Sequence, residues 1–84
     1  MFEIKYAKSI NKDLEKIDVQ NLAKIKKGIE NLRNFPNVSN IRKLSAHPLA
    51  DYRLRVGEYR VLFDVSWNEK IIYILKIGHR SEVY

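Results

Sequence analysis

Arg53, Arg55 and Arg60 are the side chains whose types and spacing best suit chemistry in this chain of 84 residues. Tyr52, Leu54 and Val56 alternate with Arg53 and Arg55, which is the period of a strand buried on one face. Both guanidinium groups then project from the opposite face. Gly57-Glu58 supplies a two-residue turn, after which Val61, Phe63 and Val65 share one parity and Arg60, Leu62 and Asp64 the other. Arg60 therefore joins the two arginines across a hairpin. His79 and Arg80 follow Gly78 after the next apolar run, with Tyr84 close behind. Cations and proton-transfer groups are thus expected to converge at one end of an open sheet face.

Fixed cations in that arrangement suit phosphodiester chemistry, because attack on phosphorus builds negative charge that prearranged Arg donors stabilise. RNA carries its own nucleophile in the 2′-hydroxyl. A protein acting on it needs only positioning, charge stabilisation and proton transfer. Histidine is the side chain suited to proton transfer near neutral pH, and His47 and His79 are the two present. No carboxylate cluster has the spacing that recruits zinc or magnesium, so neither metal nor cofactor is expected. The bland reading stands beside this one. Alternating Arg on a half-exposed strand is ordinary solvated patterning, a histidine near the chain end is ordinarily solvated, and Tyr84 can simply pack against the sheet.

Sixteen Lys and Arg against ten Asp and Glu give a formal charge of +6, which favours polyanionic partners such as nucleic acid or an acidic protein. At 84 residues with 45% hydrophobic content, one domain spanning 1–84 is expected. The absence of cysteine excludes disulfides and thiolate metal sites and fits the reducing cytoplasm. The opening residues alternate apolar and polar instead of following a basic start with an apolar run, so no signal peptide is expected. The longest apolar run, 71–75, is far short of the roughly 20 residues that cross a bilayer, and no membrane partner is expected.

Several elements must position the arginines. Phe2, Ile4 and Tyr6 alternate as a short strand. Ala7, Ile10, Leu14 and Ile17, then Leu22, Ile25, Ile29 and Leu32 after the N-cap candidate Asp18, recur at helical spacing and predict two amphipathic helices, the second ended by Pro36. Lys8, Lys12, Lys16, Lys24 and Lys27 fall mostly off the apolar stripes and read as solvated helix faces. From Pro36 to Asp51 no period is sustained, which predicts a surface connection with Leu44 as an anchor. After the hairpin, Trp67-Asn68-Glu69-Lys70 reads as a turn and Ile71 to Ile77 as a central strand, with a polar tail beyond. The expected fold is an α+β sandwich, strand–two helices–three strands (βααβββ), its helix pair on one face of a mainly antiparallel sheet.

Lys43-Leu44, the run Tyr52-Arg53-Leu54-Arg55-Val56-Gly57-Glu58-Tyr59-Arg60-Val61-Leu62-Phe63-Asp64-Val65 and the ending Ile77-Gly78-His79-Arg80-Ser81-Glu82-Val83-Tyr84 together resemble the RelE/ParE superfamily of toxins from type II toxin–antitoxin systems. Within it the chain is most similar to the RelE branch. The resemblance implies a metal-independent, ribosome-dependent endoribonuclease that cuts mRNA in the decoding site by 2′-hydroxyl attack and so inhibits translation. It also implies a RelB-like antitoxin, acidic and partly disordered, that wraps the toxin. By the same resemblance Arg60 holds the scissile phosphate, Arg80 is a second phosphate-binding residue, and Tyr84 stacks on a base or assists proton transfer. Arg53 and Arg55 stand where the best-studied branch has two basic residues, commonly lysines, one of them assigned as general base. Arginine stays protonated, with a pKa above ~12. That role therefore falls to His79, with Tyr84 as the second candidate, and Arg53 and Arg55 are left to bind phosphate. The ParE branch uses the same fold to poison DNA gyrase, and a degenerate module that only binds antitoxin is a further alternative. Arg60, His79, Arg80 and Tyr84 favour the nuclease.

Overall fold

The computed structural model describes residues 1–83. Its elements run β1 (Glu3–Tyr6), α1 (Ile10–Glu15), α2 (Val19–Asn31), a 3-10 turn (Leu32–Asn34), β2 (Ile41–Lys43), β3 (Tyr52–Val56), β4 (Tyr59–Ser66) and β5 (Ile71–His79). The strands form one mixed sheet in the order β1-β5-β4-β3-β2. β1 lies parallel to β5, whereas β5, β4, β3 and β2 are joined by antiparallel pairings. This is the expected α+β sandwich with one strand added. β2 lies inside the segment read as a connection, where three residues are too few to show a period.

The helices cover one face because their apolar stripes require it. Ile10 of α1, Ile25 and Ile29 of α2, and Leu32 share a core with Leu54, Val61, Phe63, Ile72, Ile74 and Ile77 of the sheet. Asp18 caps α2, its carboxylate accepting the Asn21 N–H at 3.3 Å. The helix stops at Asn31, ahead of Pro36, because the chain first tightens into the 3-10 turn and Phe35 must be extended before proline. Phe35 then packs edge-on against Phe2, Tyr52 and Phe63, with ring centroids 5.3–6.0 Å apart.

Where β1 ends, the edge of β5 continues alone, and α1 covers it with a buried carboxylate. Asp13 is 7% exposed; its Oδ2 accepts the Ile77 N–H at 3.0 Å and its Oδ1 pairs with Lys76 Nζ at 3.0 Å. A register shift between Leu62 and Phe63 against β5 admits an extra residue beside Lys76.

The other face carries a smaller apolar cluster of Ala50, Leu62 and Val83, with Leu44 and Leu75 against it. Leu44 is thus an anchor, as expected. Val83 is not part of a wholly polar tail: it is 7% exposed and packs over Gly78, where any Cβ would collide with its Cγ2. The Glu82 and Val83 N–H groups both donate to His79 O, at 2.8 and 3.2 Å, which folds the tail back.

Candidate nucleic-acid interface

The register sets Arg55 directly opposite Arg60 and Arg53 opposite Leu62. On the outer side β2 sets Arg42 opposite Arg53. Leu54, Val61 and Ile41, which alternate with these arginines, belong to the main core, so all four guanidinium groups leave the sheet on the face away from the helices. The sequence reading missed Arg42, because only its pairing through β2 brings it to Arg53. Burial pulls the Arg53 guanidinium below its ordinary pKa, and the charges of Arg60, Arg42 and Arg55 pull it the same way. Arginine remains cationic under such a shift. The shift records burial first and the neighbouring positive charges second, and an anion would relieve the latter.

Arg60 clasps the hairpin turn, its Nη1 donating to Gly57 O and Tyr59 O, both at 3.0 Å. Its Nε is buried with no hydrogen-bond partner among the described residues. A buried, unsatisfied charged donor is rare in native proteins and marks a place for a bound acceptor. Arg55 Nη2 donates to Asn40 Oδ1 at 3.2 Å. Arg80 reaches the same turn from the end of β5: its N–H donates to Glu58 O and its Nε pairs with Glu58 Oε2, each at 2.8 Å. The structure therefore brings Arg53, Arg55, Arg60 and Arg80 onto or beside one turn-ended strip of sheet.

His79 stands apart from them. β5 runs on through His79 instead of ending at Ile77, so His79 shares the parity of Ile77 and pairs with Tyr59 on the helix side. Its ring meets Tyr59 edge-on at 5.7 Å, and it lines a cleft of about 250 Å³ with Asp13, Lys16 and Glu82 but no arginine. Gly78, its neighbour, is the residue opposite Arg60. The expected convergence of His79 with the cations is not the arrangement of this conformation. His79 Nδ1 accepts the Ser81 N–H at 3.2 Å and lies 2.8 Å from Ser81 Oγ, which leaves the proton of the neutral ring on Nε2. Tyr84 lies outside the described residues. Among the described residues no group of three or more His, Asp or Glu could hold a metal ion, and no helix is long and apolar enough to cross a membrane.

Residues 4–84 match the family model described as the ParE toxin of the type II toxin–antitoxin system parDE. A chain of Methanocaldococcus jannaschii designated as a RelE1 toxin is 35% identical over 86 residues, covering 99% of this chain and 94% of that one. Among solved structures, the archaeal RelE–RelB complex from Pyrococcus horikoshii OT3 matches with a TM-score of 0.76 and 28% identity, over 98% of both chains. The RelBE2 toxin–antitoxin complex of Mycobacterium tuberculosis gives a TM-score of 0.81 over 94% of this chain and 98% of that one; at 21% identity its likeness is one of fold. With the hairpin arginines, the sheet order and these matches agreeing over nearly the whole length, the chain belongs to the RelE/ParE superfamily of type II toxin–antitoxin toxins.

Proposed function

We propose that the protein is an endoribonuclease of the RelE kind, which enters the ribosomal decoding site and cuts mRNA by attack of a 2′-hydroxyl on the adjacent phosphate. The observation that carries this reading is the cation strip around Arg60, whose buried Nε lacks an acceptor among the described residues and lies beside Arg55 and Arg53. In the reaction the 2′-oxygen forms a bond to phosphorus while the bond to the 5′-oxygen breaks. One proton leaves the 2′-hydroxyl and one is delivered to the departing oxygen. Arg60, Arg55 and Arg53 stabilise the charge that accumulates on the non-bridging oxygens. Arg80 joins them by exchanging Glu58 for phosphate, and their pair, more than half exposed on both sides, is weak enough to exchange.

Proton transfer falls to His79 and Tyr84. On this reading Arg53, Arg55 and Arg60 stabilise charge where the hairpin holds them, while His79, which meets Tyr59 edge-on, has to reorient to take part. The turn from His79 to Val83 has to swing for the imidazole to meet RNA. The partners implied are the ribosome, mRNA and a RelB-like antitoxin. RelB is the partner of the RelE chain in the Pyrococcus complex. The cytoplasm is where they meet.

The test is a reconstituted translation reaction on a defined message, with and without ribosomes, comparing an ordinary codon with one carrying 2′-deoxyribose at the cut. Cleavage that requires both the ribosome and the 2′-hydroxyl is the expected result. A message left intact by protein that still poisons cells refutes it and moves the target to DNA gyrase. That second reading draws on the separation of His79 from the arginines and on the match to the ParE family model. Inhibition in a supercoiling assay is its signature.

A further inference from the structure

Gly28 is the point at which α2 comes down onto the outer strands. A Cβ there would lie 3.0 Å from Val56 Cγ2 and 3.6 Å from Leu54 Cδ2, tighter than ordinary packing allows at the first. Glycine thus lets the helix backbone approach the sheet. Beside the approach is a cleft of about 320 Å³, whose polar lining is Lys24, Lys27, Asn31, Ser39, Asn40 and Arg55. That volume is at the small end of ligand sites.

The character of the lining is one-sided: three cations, three neutral hydrogen-bonding side chains and no Asp or Glu. Asn40 adopts φ 66°, a left-handed conformation that asparagine tolerates, and its Oδ1 accepts from Arg55 Nη2. Its own amide N–H₂ is left as a donor. Arg55 belongs both to this cleft and to the pair with Arg60, so the cleft continues the arginine face around the edge of the sheet onto α2. Lys24 and Lys27, which as sequence look like a solvated helix face, are its outer wall.

We propose that this cleft binds phosphate groups of RNA, as a second site beside the arginine face. The proposal extends the reading of the chain as an RNA-directed toxin, but its readout is binding and needs no cleavage. A single-stranded backbone is a row of phosphates, and a strand whose reacting phosphate sits at Arg60 needs cations for its neighbours. An acidic protein segment would seek more apolar surface to bury. That surface is instead in the groove between the helices, lined by Ile10, Leu14, Leu22, Ile25 and Ile29.

The experiment measures the salt dependence of binding by the full chain to two probes. One is a fluorescent 2′-O-methyl oligoribonucleotide, which cannot be cut; the other is the isolated small ribosomal subunit without message. The variant Lys24→Gln/Lys27→Gln is compared with Lys8→Gln/Lys12→Gln, which removes the same charge from exposed positions outside the cleft. The expected result is a fall of about 1.4 in the slope of log affinity against log salt for the first pair only, at ~0.7 per phosphate lost. A fall with the oligonucleotide assigns the cleft to message; a fall with the subunit alone assigns it to ribosomal RNA. Equal falls for the two pairs, or none, overturn the proposal. Unchanged slopes with weakened binding of a poly-glutamate peptide overturn it in favour of an acidic protein. Wild-type protein that binds neither RNA overturns this proposal and the RNA-cutting reading together.

Discussion

Arg55 and Arg60 are direct partners across the β3–β4 hairpin, two like charges held opposite one another by the register. Like-charged cross-strand pairs destabilise a sheet by roughly 0.2–1 kcal/mol, and Arg53 and Arg42 extend the crowding along the same face. The fold tolerates this repulsion because Leu54, Val61 and Phe63 on the other side of the same strands are buried in the core. A phosphodiester placed among the four guanidinium groups converts the repulsion into attraction.

Arg60→Ala is expected to lower single-turnover cleavage by about 10²-fold or more, the usual effect of losing one preorganised donor to a developing oxyanion. Its melting temperature should be no lower than that of the wild type, since the change removes a like-charge pair and a buried Nε without a partner among the described residues. Cleavage and thermal melts of the same preparation check both. A variant that melts well below wild type assigns Arg60 to holding the turn instead.

For His79→Gln the expectation is a loss of about 10²- to 10⁴-fold in cleavage with ribosome binding retained, the range of a lost general acid or base. Single-turnover rates at saturating ribosome measure it. An unchanged rate means that His79 stays beside Tyr59 throughout, and Tyr84→Phe becomes the variant to examine.

Gly78→Ala should destabilise the protein by about 1–3 kcal/mol, because the new methyl group takes the space that Val83 occupies. Shortening the intruding side chain relieves the clash, so Gly78→Ala/Val83→Ala is expected to be more stable than the sum of the single effects. Denaturant melts of the four proteins give the coupling, and strict additivity contradicts the contact.

Replacing Asp13 with Ala leaves the Ile77 N–H buried without an acceptor, at a cost of about 1–3 kcal/mol. Lys76→Met should cost less, because Asp13 keeps the Ile77 N–H as a donor and the pair it loses has one side chain 42% exposed to solvent. Asp13→Asn retains an acceptor and is expected to fall between wild type and Asp13→Ala. If Asn is as damaging as Ala, the ion pair and not the strand edge is what Asp13 serves. Urea titrations rank the three.

The hairpin was legible in the sequence because strict alternation and Gly57-Glu58 fix both parity and register at short range. The same counting, carried two residues past Ile77, assigns His79 to the helix side; stopping the strand at Ile77 lost that signal. β2 could not be read from Ile41, Arg42 and Lys43 alone, since three residues show no period and its pairing with β3 is made across the connection 44–51. Nor could Lys24 and Lys27 be placed, because their cleft exists only through the close approach of Gly28 to Val56, 28 residues further along the chain. The buried role of Asp13 was hidden for a similar reason: its partners, Lys76 and Ile77, are 63 and 64 residues away.

The place of β5 between β1 and β4 has a consequence for how the protein comes into being. The first strand of the chain finds its neighbour only in the last, so during synthesis the helices and the β3–β4 hairpin emerge with no sheet centre to join. The parallel pairing of β1 with Ile71–Ile74 must wait until residues 71–74 have left the exit tunnel. Until Ile71–Ile74 joins it, β1 has no partner strand, and the helices and hairpin have no completed sheet to cover.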